Sequence, residues 1–148
     1  MSDKIENKEL PIKIYITVDE TALPENLLAR LHASSVVINI GEVEQSELKN
    51  LYETSHLCIF PSSTETFGNG LIEAAKFALP VLAFNHTYVK DVLSINVKLI
   101  NSVDSCLSII SCLYNDENLY RICSKEIYDY SERFLDVESW KNKLFHDL

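Results

Sequence analysis

The chain has 148 residues, of which 47% are hydrophobic and 24% charged, a balance typical of a soluble globular domain that buries its own core. Its formal charge of −9 argues against a surface that neutralises nucleic-acid phosphates or lies on an anionic membrane, because both need clustered lysine and arginine. No apolar run approaches the roughly 18 residues of a membrane span, and residues 1–10 lack the apolar stretch of a signal peptide. We therefore expect a cytoplasmic protein with one domain over residues 1–148, of which residues 1–10 are flexible.

The first third of the chain predicts two strands, each followed by a helix. Ile12–Val18 is rich in β-branched and aromatic residues, which favours a buried strand, and Pro24 then suits the first position of a helix that ends near Ser34. Val36–Ile40 is a second short apolar run, and Gln45–Thr54 carries apolar residues at helical spacing. Strand and helix therefore alternate from the start.

The rest of the chain continues this alternation and then ends in helices. Three more apolar runs predict strands over His56–Phe60, Leu79–Phe84 and Val97–Ile100. Helical periodicity covers four segments, Leu71–Phe77, Asp104–Tyr114, Asn118–Phe134 and Ser139–Phe145. This order predicts an α/β fold with a Rossmann-like parallel sheet, helices on both faces and right-handed crossovers. Ligands of such sheets bind at the carboxyl ends of the strands.

The cysteines predict neither a zinc site nor a disulfide framework. Cys58, Cys106, Cys112 and Cys123 form no C-x-x-C pair, and the four histidines are scattered. Because these cysteines lie in apolar strand and helix patterns, we expect buried, reduced thiols and a reducing compartment.

The loop from Pro61 to Ala75 is the most informative stretch, since it links a buried strand to a helix. Gly68 and Gly70 at the helix entrance would let the backbone approach a ligand, and the unpaired N–H groups of the first turn favour a diphosphate. Glu73 lies about one turn into the helix, where a carboxylate can accept hydrogen bonds from ribose hydroxyls. Spacing alone leaves a second interpretation equally open, namely a tight turn before a helix whose early glutamate complements the dipole.

A longer pattern around this loop resembles a known family. The pattern consists of two glutamates, Glu65 and Glu73, separated by seven residues. Ala74-Ala75 follow directly, and Pro80-Val81 follow after a small-residue turn. The preceding segments Val37–Val43, Leu48–Tyr52 and Ile59–Ser62 also match in order and spacing. The sequence thereby resembles the C-terminal, donor-binding half of the retaining glycosyltransferases with two facing Rossmann-like domains, of the GT-B fold and the group 1 or family 4 type.

The resemblance implies roles for five residues of the loop. Glu65 would be the catalytic carboxylate that holds hydroxyls of the transferred sugar and orients its anomeric centre. The backbone of Phe67 and Gly68 would contact the sugar, and the backbone of Asn69 and Gly70 the phosphates.

The same resemblance assigns the rest of the donor and its chemistry. Glu73 would bind the ribose, and the loop from Gly41 to Val43 would lie against the base. The implied substrate is a nucleotide-sugar, and neither a cofactor nor an obligatory metal is expected, since a helix N-terminus and basic side chains stabilise the leaving diphosphate. Transfer would retain the anomeric configuration, in a role such as polysaccharide biosynthesis.

Two departures from the family bear on partners and phosphate affinity. The Arg and Lys that the family places at the start of its donor domain have no match here, and the glycine expected before Pro80-Val81 is replaced by Ala78 or Leu79. A sugar or lipid-linked acceptor would need an N-terminal domain or partner chain. The chain is then a domain, a truncated product or a subunit of a split enzyme.

Two alternatives remain beside a donor-binding domain. One is a catalytically silent homologue that acts as a binding or regulatory subunit of a split glycosyltransferase. The other is an unrelated phosphate-binding module of the flavodoxin-like type, which shares the sheet and the anion-binding loop.

Overall fold

The computed structural model describes residues 10–62, 68–87, 89 and 98–132. The predicted site residues Glu65 and Phe67, and the predicted helix Ser139–Phe145, lie outside these ranges, as does nearly all of the N-terminal segment that we expected to be flexible. The chain divides into two compact units, residues 1–51 and 52–148. The prediction of a single domain stays a prediction.

The first unit contains one parallel strand pair. Strand β1 (Ile14–Ile16) lies beside β2 (Val37–Asn39), with Tyr15 opposite Ile38. A short 3-10 helix at Glu20–Ala22 and helix α1 (Glu25–His32) connect them. Both strands and α1 form where the apolar runs predicted them. Pro24 is the N-cap of α1 rather than its first helical residue.

Helix α2 (Gln45–Thr54) has the bounds that its apolar spacing predicted, and the second unit begins at its residue Tyr52. Three parallel strands follow in the order β3 (Cys58–Phe60), β4 (Val81–Phe84) and β5 (Lys98–Ile100). The helices of this unit are α3 (Asn69–Lys76), α4 (Val103–Asn115) and α5 (Glu117–Ser131). All strand pairings in the described residues are parallel, so the predicted alternating α/β architecture with parallel strands is confirmed.

The core of the second unit surrounds β4. Val81, Leu82 and Ala83 are each at most 1% exposed, which explains why this run is apolar at every position rather than at alternate ones. Leu71 and Ile127 bring α3 and α5 into the same core. Burial on both faces therefore fixes β4 as the central strand of its sheet.

Side chains at the helix ends explain where the last two helices begin. Ser102 accepts a hydrogen bond from the amide of Ser105, whose hydroxyl in turn accepts one from the amide of Ser102, so that α4 starts with a capping box. Asp116 accepts from the amide of Leu119 and caps α5. Among the described residues, no helix is long and apolar enough to cross a membrane.

The structure gives all four cysteines as free thiols, but the prediction that they are buried is wrong for Cys112. Cys106 and Cys123 are buried and Cys58 is half-buried. Cys112 is exposed because it lies off the buried stripe of α4, which runs through Cys106, Leu107, Ile110 and Leu113. Sequence proximity to apolar residues did not reveal which side of the helix the thiol occupies.

Candidate functional site

Helix α3 begins at a glycine with a left-handed backbone. Gly68 is the N-cap with φ +71° and ψ 39°, and its carbonyl accepts the amide of Leu71 at 2.9 Å. The helix therefore starts at Asn69, two residues before the predicted start. A glycine is favoured here because left-handed φ costs an L-residue about 1–2 kcal/mol. It also offers no side chain to cap the amides of the first turn.

Gly70 serves the packing of α3 against β3. A Cβ at this position would lie 3.0 Å from Cε2 of Phe60, which is closer than ordinary contact. Close packing on the Phe60 ring therefore favours glycine at this position, independently of any ligand. The predicted contact of its backbone with phosphate stays a prediction, as does that of the exposed Asn69.

Glu73 lies one turn into α3, as its spacing predicted, and it has a protein partner. The hydroxyl of Tyr52 donates to its Oε2 at 3.2 Å. The ring of Tyr52 also stacks on Phe77, with centroids 5.4 Å apart and planes inclined by 17°. Tyr52 therefore lies along one face of α3, because Glu73 and Phe77 are four residues apart.

Burial controls the titration of the groups beside Glu73. It is the main cause of the raised pKa of Tyr52, and the neighbouring Cys58 and Glu73 raise that pKa further. The Tyr52 hydroxyl therefore stays protonated and remains a donor at neutral pH. Burial likewise raises the pKa of Cys58 to about 11, so this thiol is not a nucleophile there.

The first unit has an open groove at the carboxyl ends of β1 and β2. Its volume is about 460 Å³, and it is lined by Val18, Asp19, Glu20, Thr21, Asn39, Gly41 and Glu42. Gly41 has φ +73°, and a Cβ there would meet no atom within 4 Å, so backbone conformation rather than space favours glycine. The predicted base-binding loop thus contributes two residues to the groove, whereas Val43 is half-buried and does not line it.

The side chain of Asn39 makes hydrogen bonds to three other residues that line this groove. Its Nδ2 donates to the carbonyl of Val18 at 2.9 Å and to Oε1 of Glu20 at 3.1 Å. Its Oδ1 accepts the amides of Val18 at 3.1 Å and Gly41 at 3.3 Å. One amide side chain therefore ties the end of β1 to the end of β2.

Hydrogen bonds stabilise the charged form of two acids of the groove, Asp19 and Glu20. The hydrogen bond from Asn39, followed by that from His32, lowers the pKa of Glu20. The side-chain and backbone hydrogen bonds from Thr21 lower the pKa of Asp19. At neutral pH the groove therefore presents carboxylates, which attract donors and cations.

The predicted site residues fall into three groups. Gly68, Asn69, Gly70 and Glu73 come together in the second unit, on the first turns of α3, and Gly41 and Val43 follow β2 in the first unit. Glu65 and Phe67 lie outside the described residues. No cluster of metal-binding side chains occurs among the residues that the structure describes.

Sequence reasoning missed the roles of Tyr52 and Asn39. Tyr52 lies in the apolar stripe of α2, and a tyrosine inside such a stripe usually needs a partner for its hydroxyl. Asn39 is the polar residue inside the run Val36–Ile40, and that interruption was the available signal. Neither residue could be paired without the tertiary structure.

Comparison with known proteins identifies the class. Residues 16–129 match the family model of glycosyl transferases group 1, which covers more than half of the chain. The chain therefore belongs to the glycosyl transferases group 1, and the alternative of an unrelated phosphate-binding module is wrong. A comparison with curated protein sequences finds no match.

Solved structures agree with the family. The pneumococcal O-GlcNAc transferase GtfA, in complex with UDP and GlcNAc, is similar with a TM-score of 0.66 and 26% identity over 93% of this chain and 29% of GtfA. A GtfA/B complex is similar with a TM-score of 0.74 and 20% identity over 99% of this chain and 31% of its counterpart. The Rossmann-like GT-B fold of this chain is thereby confirmed, and the chain spans less than a third of the length of either chain that it matches.

Proposed function

We propose that this chain is the donor-binding domain of a retaining glycosyltransferase that uses a nucleotide-sugar. The observation that carries the proposal is the start of α3, where left-handed Gly68 opens the helix and the Glu73 carboxylate lies one turn further on. Helix N-termini favour diphosphates, and a carboxylate accepts both hydroxyls of a ribose. The two features occur in the order in which a nucleotide presents these groups.

The similarity to GtfA supports a nucleotide as the ligand. GtfA was solved with UDP and GlcNAc and is 26% identical to this chain. UDP is therefore the first probe to test. We propose that the backbone of Asn69 and Gly70 contacts the phosphates. For the first unit, taken by itself, we propose that the groove beside Gly41 receives a base.

The sugar end of the donor is proposed from the family resemblance. Glu65 would orient the anomeric centre, and the backbone of Phe67 and Gly68 would contact the sugar. Transfer would proceed without an obligatory metal. Because the chain spans 29% of GtfA, the acceptor would be bound by a further domain or a partner chain.

One observation favours the silent subunit as a second candidate. The groove is lined by the carboxylates of Asp19, Glu20 and Glu42, and none of its lining residues is Lys or Arg. These carboxylates offer a nucleotide no positive charge and repel its negatively charged diphosphate. A subunit that kept the fold for a binding or regulatory role would tolerate this repulsion.

Calorimetric titration with UDP, GDP and ADP tests the leading proposal. We expect at least one of the three to bind at sub-millimolar concentration, and Glu73→Gln to weaken it about tenfold or more, because hydrogen bonds to a charged group contribute about 1.5–3 kcal/mol. Glu126→Gln, an exposed glutamate on α5, is the matched control and should leave the affinity unchanged. Failure of all three nucleotides to bind at millimolar concentration would reject the proposal.

Comparison of UDP with uridine separates the two candidates. A functional diphosphate site at the start of α3 should make UDP bind about tenfold tighter than uridine or better, since the helix terminus and its amides act on the phosphates. Equal affinity for UDP and uridine would instead favour the silent subunit.

A further inference from the structure

Tyr52 is held in one position beside Glu73 by packing. Its ring stacks on Phe77, the residue that caps the C-terminus of α3, and the side chain is half-buried. A stacked ring has few free torsions, so the direction of its hydroxyl is fixed before any ligand arrives. That hydroxyl points at Oε2 of Glu73, 3.2 Å away.

Among the described residues, the hydrogen bond engages one oxygen of the Glu73 carboxylate and leaves the other available. Tyr52 donates to Oε2, and no partner for Oε1 occurs in the part of the chain that the structure describes. A glutamate without a restraint would rotate about its terminal torsion and would lose that freedom when a ligand bound. A fixed carboxylate meets two adjacent hydroxyls without this loss.

We propose that Tyr52 is a positioning residue, whose hydroxyl holds Oε2 of Glu73 so that the carboxylate is presented to the 2′- and 3′-hydroxyls of the donor ribose. This inference rests on the proposed function, because it requires a nucleotide at the start of α3. It goes beyond that function in giving a specific task to a side chain on α2 that acts on the donor through Glu73.

A purely structural role for Tyr52 makes a different prediction. The ring and its stack on Phe77 survive in Tyr52→Phe, which removes only the hydroxyl. A structural role would change stability or weaken every ligand of the site equally. A positioning role would weaken only those ligands that carry ribose hydroxyls.

The test is a calorimetric comparison of UDP with 2′,3′-dideoxy-UDP. In the wild-type chain, loss of the two hydroxyls should weaken binding about tenfold or more, since the half-buried carboxylate of Glu73 loses its donors. In Tyr52→Phe, UDP should bind about three- to tenfold more weakly, while the dideoxy analogue keeps its affinity within about twofold. Tyr114→Phe, at a tyrosine that is 61% exposed, should change neither affinity.

A double-mutant cycle with Glu73→Gln completes the test. If Tyr52 acts through Glu73, then Tyr52→Phe should have little further effect on UDP binding in the Glu73→Gln background. Equal weakening of UDP and its dideoxy analogue, unchanged UDP affinity in Tyr52→Phe, or additive effects in the cycle would each overturn the inference and leave the proposed function intact. If the wild-type chain binds neither UDP, GDP nor ADP, then the proposed function fails, and the inference fails with it.

Discussion

In the second unit, apolar side chains pack around β4, whereas in the first unit polar side chains hold the ends of two short strands. Val81, Leu82 and Ala83 are at most 1% exposed. Helices α3 and α5 pack on Val81 and Ala83 in one apolar core. Among the described residues of the first unit, only Val36 is buried to a comparable degree, at 8% exposure. In the first unit, the side-chain amide of Asn39 joins the two strand ends by hydrogen bonds to the backbone of Val18. In the second unit, apolar packing holds the strands.

The difference has a consequence for ligand binding. Asn69, Gly70 and Glu73, which we propose to hold phosphate and ribose, lie in the packed unit, where the backbone is restrained. The groove beside Gly41, which we propose to hold the base, depends on hydrogen bonds that water and pH can disturb. We therefore expect the first unit to open locally at a lower free energy than the second.

The largest expected effect comes from matched leucine truncations in the two units. Leu107→Ala removes a fully buried side chain from α4 and should lower the free energy of unfolding by about 2–5 kcal/mol. Leu27→Ala removes a leucine that is 43% exposed on α1 and should cost less than about 1 kcal/mol. Urea denaturation followed by circular dichroism measures both. Equal losses of unfolding free energy in the two variants would contradict the difference in packing between the two units.

A smaller effect is expected from the polar connection of the first unit. Asn39→Ala leaves the amide and carbonyl of Val18 without their partner and should cost about 1–3 kcal/mol. Asn115→Ala, an exposed asparagine that bonds within α4, is the control and should stay within about 0.5 kcal/mol of wild type. Hydrogen exchange at the Val18 amide should rise in the first variant only. Unaltered exchange there would show that Asn39 does not hold the strand ends together.

A gain in stability is expected at the turn that follows α3. Ala78 has φ +56°, and the turn closes with hydrogen bonds from Ala78 to Ala75 and from Leu79 to Ala74. Ala78→Gly should raise the free energy of unfolding by about 1 kcal/mol, because glycine relieves the left-handed strain. Ala33→Gly, at a residue of helical φ −82°, should have the opposite sign and cost about 0.5–1 kcal/mol. A loss of stability in both variants would show that the left-handed backbone of Ala78 is not strained.

The smallest effect is the pH dependence of the groove. Asp19 and Glu20 have folded pKa values below their ordinary 3.8 and 4.5, so their contribution to stability is present above those values and is lost as the pH falls through the folded pKa. Amide exchange around Val18 should therefore accelerate as the pH is lowered from about 5 to about 3, after correction for the intrinsic rate. Glu20→Gln should flatten this dependence, whereas Glu126→Gln should not. Identical profiles in all three proteins would exclude Glu20 as its source.

The order and type of the described elements could be predicted from the sequence, because apolar periodicity reports local structure directly. The start of α3 was predicted two residues late, since neither Asn69 nor Gly70 is apolar and periodicity does not detect them. The glycine missing before Pro80-Val81 could be placed at either Ala78 or Leu79. Only the backbone angles assign the strained position to Ala78.

The sequence by itself determined the family, the alternating α/β order and the place of the candidate loop, because these depend on spacing along the chain. Tertiary structure decided which side chains meet. It paired Tyr52 with Glu73 across 21 positions of sequence and Asn39 with Val18 across another 21, and it placed Cys112 on the exposed side of its helix. Such pairings depend on how helices and strands pack against one another, and a pattern in one segment contains no information about the segment it will contact.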